Sequence, residues 1–277
     1  MSAPPPPVTT TVDRFLGGRL IIEQPATGRH RAGLDAILLA ATVPEEAPGP
    51  LVDLGAGVGT AGLAAAVRAP GATVWLAERD EVALGAAAAN IARNRLSDRA
   101  RVVAVDLLGP AKAREAVLPR ESAAHVICNP PYHPARTVRA SPREARAEAH
   151  VLAEGGLGDW LRVAAATLAP HGWLSLIFEG GGLGDILAGL AGRFGAASIL
   201  PVHPRAAAPA HRLIVTAIKG SRARPVVLPG LVLHPEGSDH YLPAAEAILR
   251  GEAGLVARRD DLAPRRRIGR DEVTDRR

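Results

Sequence analysis

Residues Asn129-Pro130-Pro131-Tyr132 carry the densest chemistry in the chain. Two consecutive prolines fix φ and remove two backbone donors, so this loop exposes carbonyl oxygens that no local N–H can claim. The Pro130 carbonyl and the Asn129 side-chain oxygen can together accept both hydrogens of an NH2 group. An amine held in that way is pulled out of planarity with its ring, and its lone pair turns outward toward an electrophile. Tyr132 offers a face on which a planar base can stack, worth about 1–3 kcal/mol. The remaining task is to align the reacting atoms, a positioning effect. No strong general base is needed, because the amine can shed its proton after attack. Cys128, just before this loop, sits on an apolar run and reads as a buried packing residue. His133, just after it, reads equally well as a plain loop histidine or as a contact to substrate.

A second centre lies upstream. Val52-Asp53-Leu54-Gly55-Ala56-Gly57-Val58-Gly59-Thr60 is a strand running through a glycine-dense turn into a helix. Glycines there allow positive φ and let a ligand approach the backbone without interference from a Cβ. Asp53 brings a carboxylate close to the turn, which suits a cationic sulfonium ligand with an ammonium group better than a pyrophosphate. Gly57, Gly59 and Gly62 also satisfy G-x-G-x-x-G, with Glu78 about twenty residues on, so the turn alone leaves a dinucleotide open as well. Glu78 follows the second strand, where an acid can accept ribose hydroxyls. Asp106 closes the third strand, where it can accept from an adenine amino group with Leu107 beside the ring, or else cap a following helix.

These residues need a scaffold, and short β-type runs alternating with alanine-rich helices supply one. Strands are expected at 51–54, 73–77, 101–105, 125–128, 173–178, 197–202 and 212–218, with helices at 60–68, 81–95, 157–168 and 184–194. Such alternation implies a mostly parallel sheet covered on both faces. The last two strands are joined by a loop alone, which predicts an antiparallel strand at one edge. The expectation is an α/β, Rossmann-like, seven-stranded domain over residues 13–250. Residues 1–12, with Pro4 to Pro7, read as a mobile arm, and 251–277 as a charged, disordered tail.

Ser141-Pro142-Arg143-Glu144 is a capping box with proline at the first helical position. The helix it predicts would carry Arg143, Arg146 and His150 on one face, with Arg136 and Arg139 leading in. Such a face beside the amine-binding loop suits an RNA backbone. The formal net charge of +5 favours a polyanionic partner, although arginine enrichment can also follow genome composition. A single cysteine excludes an intrachain disulfide framework, and no apolar run is long enough for a membrane helix. A cytoplasmic protein is expected, with no membrane partner and no metal site. Its oligomeric state is not set by the sequence.

Taken together, these motifs resemble the class I S-adenosylmethionine-dependent amino-methyltransferases of the N-P-P-Y type. They are most similar to the bacterial tRNA(Val) adenine-37 N6-methyltransferase family. Gly33-Leu34-Asp35-Ala36-Ile37-Leu38-Leu39-Ala40 is similar to that family's G-x-D-A-x-L-L-A stretch. Arg143, Ala145, Arg146 and Glu148 resemble its basic stretch, and Tyr241 to Leu249 its terminal helix. The resemblance spans about residues 14–250. It implies S-adenosylmethionine as cofactor, held by Gly33, Asp35, Asp53, Gly55, Gly57, Gly59, Glu78, Asp106, Leu107 and Asn129. It implies catalysis by Asn129, Pro130, Pro131 and Tyr132, and a tRNA substrate met by Arg136, Arg139, Arg143 and Arg146. Three other readings stay open: glutamine-N5 methylation of a protein, guanine-N2 methylation of ribosomal RNA, and a cofactor-binding RNA module without catalysis. Families of the guanine type usually carry phenylalanine where Tyr132 stands.

Overall fold

The computed structural model describes residues 9–26, 33–131 and 156–255. Tyr132, His133, Arg136, Arg139, Arg143, Arg146 and the helix expected from Ser141 lie outside these, as do Pro4 to Pro7 and Arg258 to Arg277.

The described chain opens with a hairpin, β1 (Thr10–Phe15) and β2 (Leu20–Pro25), followed by α1 (Leu34–Ala40). The alternation then runs β3 (Leu51–Leu54), α2 (Thr60–Arg68), β4 (Val74–Glu78), α3 (Glu81–Arg93), β5 (Ala100–Ala104), α4 (Ala111–Val117) and β6 (Ala123–Cys128). After the loop come α5 (Leu157–Thr167), β7 (Leu168–Glu179), α6 (Leu183–Leu190), β8 (Phe194–His203) and β9 (Arg212–Lys219). Two short strands, β10 (Val226–Val227) and β11 (Leu231–Val232), and α7 (Pro243–Leu249) close it.

All strands but the hairpin form one nine-stranded sheet, ordered β10-β8-β9-β7-β6-β3-β4-β5 with β11 also on β8. The seven expected strands are all present, and β10 and β11 raise the count. Only β9 runs antiparallel to its neighbours, β7 and β8. It lies one place inside the expected edge, because β8 and its two short partners lie beyond it. Both faces are covered. Leu51, Val74 and Leu76 pack into one core with α1, α2 and the hairpin, while Val52, Leu54 and Ala77 pack into the other with α5 and α6. Burial on both faces is why these strands read as continuous apolar runs.

Two boundaries differ from expectation. Thr10, Thr11 and Val12 belong to β1, paired with Pro25, Gln24 and Glu23, so β1 begins inside the expected arm. Residues 251–255 are fastened to the domain. Leu255 N–H donates to Ala41 O at 2.7 Å, Arg68 Nη1 to Ala253 O at 3.1 Å, and Arg19 Nη2 to Gly251 O at 2.9 Å.

Candidate active site

Pairing register does the first part of the assembly. Leu54 faces Cys128 on one side and Ala77 on the other. The next residues along these strands, Gly55, Asn129 and Glu78, therefore stand side by side at the carboxyl edge, about 4.8 Å per strand step. Glu78 in turn faces Ala104, so Val105, Asp106 and Leu107 leave the sheet next in the row. Strand order reverses at β3, and the crevice at such a reversal is where open α/β sheets bind ligands.

The glycine turn is shaped from both sides. Gly55 has a φ of 72°, and a Cβ there would lie 2.7 Å from Cη2 of Trp160, so the indole closes that flank. Gly57, with a φ of 55°, has nothing among the described residues within 4 Å of its Cβ position, and it lines both cavities of the crevice. Glu78 pins the turn: its Oε2 accepts from Gly57 N at 2.9 Å. Its Oε1 accepts from Arg79 N at 2.7 Å and Asp80 N at 2.9 Å. A carboxylate offers about four acceptor positions, so Oε2 keeps one for a ligand hydroxyl and a second hydroxyl would share Oε1.

Asp53 is placed differently from the direct contact expected for it. Its Oδ2 accepts from Gly62 N at 2.8 Å in the first turn of α2, and the residue is only 2% exposed. Burial pushes its carboxyl up to about 7, against the pull of the Gly62 amide and with a smaller push from Glu78. A carboxylate already on the helix N-terminus occupies the ground a pyrophosphate would need, which weighs against a dinucleotide. Asp53 thus braces the turn from beneath, at the wall of the larger of two cavities.

These two cavities meet at the crevice. One, of about 400 Å3, is lined by Glu78, Val105, Asp106, Leu107, Trp160 and Pro25. The other, of about 610 Å3, is lined by Gly33, Asp35, Asp53, Pro130, His211 and Arg212. Gly55, Gly57, Glu78, Asn129 and Pro131 belong to both walls. Asp106 Oδ1 accepts from Leu108 N at 3.1 Å in a local turn, and the cap of α4 is Pro110, so Asp106 is not a helix cap. Asn129 Oδ1 is buried and accepts no hydrogen bond among the described residues.

The donor set fits the sulfonium nucleoside expected from the sequence. Glu78 would take a ribose hydroxyl, Val105 and Leu107 would flank the ring, and Asp106 would lie near its amino group. Asp35 and Arg212 form an ion pair, Nε to Oδ2 at 2.8 Å, on the wall of the larger cavity. His211 beside them has a buried Nδ1 without a partner among the described residues. Burial lowers its pKa, helped by Arg212 and opposed by Asp35. Pro25, Trp160, His211 and Arg212 were not found by sequence reasoning. Trp160 is one of three tryptophans in an aromatic-poor chain, a usable signal. Arg212 lies 177 positions from Asp35, and nothing local announces the pair.

Comparison with known proteins agrees with this architecture. The family model described as "Methyltransferase small domain" matches residues 31–180. A release factor glutamine methyltransferase from Gloeobacter violaceus is 35% identical over 46% of this chain and 44% of its own length. A tRNA1(Val) (adenine(37)-N6)-methyltransferase from Porphyromonas gingivalis is 30% identical over 53% of this chain and 58% of its own. The chain thus spans about half the length of these curated relatives. A solved structure from Agrobacterium tumefaciens, described as a predicted O-methyltransferase, is 36% identical. It covers 80% of this chain and 98% of its own, with a TM-score of 0.68. With a match across more than half its length, this chain belongs to the methyltransferase small domain family.

Proposed function

We propose that this chain uses S-adenosylmethionine to methylate an exocyclic amino nitrogen, and that the acceptor is adenine N6 in the anticodon loop of a tRNA. The observation that carries this reading is the buried Oδ1 of Asn129, without a partner among the described residues, on the wall common to both cavities. A buried acceptor without a donor costs about 1–3 kcal/mol, and an incoming NH2 group relieves it. The cofactor supplies an electrophilic methyl group; the chain supplies position. Asn129 Oδ1 and the Pro130 carbonyl accept the two amine hydrogens, Trp160 and the glycine turn wall the cavity beside them, and the amine proton leaves after attack. A hydroxyl acceptor would bring one hydrogen to a site with two acceptors. An anticodon loop is already unpaired, so presenting its base costs less than extrusion from a duplex.

The test is incubation with radiolabelled S-adenosylmethionine and separate tRNA, ribosomal RNA and protein fractions, followed by mass spectrometry of the digests. N6-methyladenosine in tRNA is the expected product. Label recovered as N5-methylglutamine in protein, or as N2-methylguanosine in ribosomal RNA, would overturn this acceptor.

A further inference from the structure

Asn90 and Asn94 lie four residues apart, on α3 and at its C-terminal cap, and Ile21 and Glu23 lie two apart on β2. Four residues of helix rise about 6.0 Å and two of strand about 6.6 Å, so the two amides can meet alternate residues of the strand. They do. Asn94 Oδ1 accepts from Ile21 N at 2.8 Å, and its Nδ2 donates to Ile21 O at 2.6 Å. Asn90 repeats the pair one step along: Oδ1 accepts from Glu23 N at 2.9 Å, and Nδ2 donates to Glu23 O at 3.0 Å. A helix thus stands in for the neighbouring strand that β2 lacks on that edge.

The two asparagines differ in where the remaining hydrogen goes. Asn94 Nδ2 also donates within its own helix, to Asn90 O at 2.8 Å. Asn90 Nδ2 donates to Val58 O at 3.1 Å, in the glycine turn between Gly57 and Gly59. Asn90 is fully buried. Two residues beyond Glu23, and so on the same face of the strand, Pro25 lines the cavity that holds Glu78 and Leu107. One side chain therefore touches both the turn that must take a defined shape and the hairpin that walls the cavity.

We propose that Asn90 is a positioning residue that couples docking of the β1–β2 hairpin to the shape of the glycine turn, so that cofactor binding and hairpin docking stabilise each other. Such coupling is reciprocal by thermodynamic necessity. The inference rests on the cofactor reading above and not on the identity of the acceptor.

Calorimetry with S-adenosylmethionine and amide hydrogen exchange, both on the full chain, test it. In the unmutated protein the cofactor is expected to slow exchange at the Ile21 and Glu23 amides. Asn90→Ala is expected to weaken cofactor binding about tenfold, and Asn94→Ala by less than about threefold although it removes an equivalent pair of hydrogen bonds to the strand. In Asn90→Ala the cofactor is further expected to stop protecting Ile21, while in Asn94→Ala it still protects Glu23. Equal falls in affinity in the two variants would reduce Asn90 to a hairpin anchor and overturn the coupling. If Asn90→Ala does not fold, the unmutated protein decides alone: cofactor that binds without slowing exchange at Ile21 and Glu23 overturns the proposal. Absence of any binding in the unmutated protein overturns the cofactor reading and the coupling with it.

Discussion

Asn129 is held at the end of β6 by a register it does not choose, and its side chain carries a burial cost that nothing in the described protein relieves. Asn129→Ala is expected to cut methyl transfer at least about a hundredfold, as misplacing a reacting group does. Cofactor is still expected to bind, as calorimetry reads, because the other residues of its pocket remain. Gly55 and Gly57 separate protein from ligand in the same turn. Gly55→Ala drives a methyl group into Trp160 at a positive φ, and is expected to lower the melting temperature. Gly57→Ala meets no atom of the described residues and carries only the left-handed penalty of about 1–2 kcal/mol. Its larger effect is expected on cofactor affinity, since its methyl group enters the cavity. The types and spacing of Asn129, Glu78, Gly55 and Gly57 were legible because their chemistry is local, whereas Gly59, expected beside them, lines neither cavity and backs onto Leu76 and Leu63. The inward turn of Asp53 was not legible, since Gly62 becomes its partner only when α2 forms.

Elements carry the pH response. Asp53 lies in β3 and His125 in the adjacent β6, and burial raises the first to about 7 and lowers the second to about 4. Between the usual carboxylate value and about pH 7, the unfolded Asp53 has lost a proton that the folded one keeps, so this group makes stability fall as pH rises. His125 acts oppositely: between about pH 4 and 6.5 the unfolded imidazole binds a proton that the folded one refuses, so stability rises with pH. The two slopes oppose each other over their shared window. Asp53→Asn keeps an oxygen for the Gly62 amide and removes one slope. Relative to the unmutated protein, its melting temperature is expected to climb as pH rises from about 4 to 7. A parallel pair of pH curves would refute the assignment. At this scale the buried strands and α2 could be read from apolar pattern, and the elements that escaped have physical reasons. No residue of α4 is buried, so no apolar stripe marks it. β10 and β11 are two residues each, and β2 takes its outer partners from side chains of α3 and its cap.

For the whole molecule, the net charge of +5 and the arginines at 136, 139, 143 and 146 set the expected response to salt. If the acceptor is RNA, replacing Arg143 and Arg146 by alanine is expected to weaken RNA binding and lower the salt slope by about one unit for each phosphate no longer neutralised. Cofactor affinity is expected to stay the same; fluorescence anisotropy at several salt concentrations reads the first effect and calorimetry the second. The general class of sheet was legible from the strand and helix alternation. The insertion of β9 between β7 and β8 was not, because no local pattern tells a strand which earlier neighbours it will part. That insertion bears on how the chain is made. Every sheet partner of β8, namely β9, β10 and β11, comes after it in the sequence. During synthesis, this ten-residue apolar stretch emerges with both hydrogen-bonding edges unclaimed. One edge waits for β9, which begins at Arg212, and the other for β10 and β11 at Val226 and Leu231, so a nascent chain stalled before these emerge would be most prone to aggregate there.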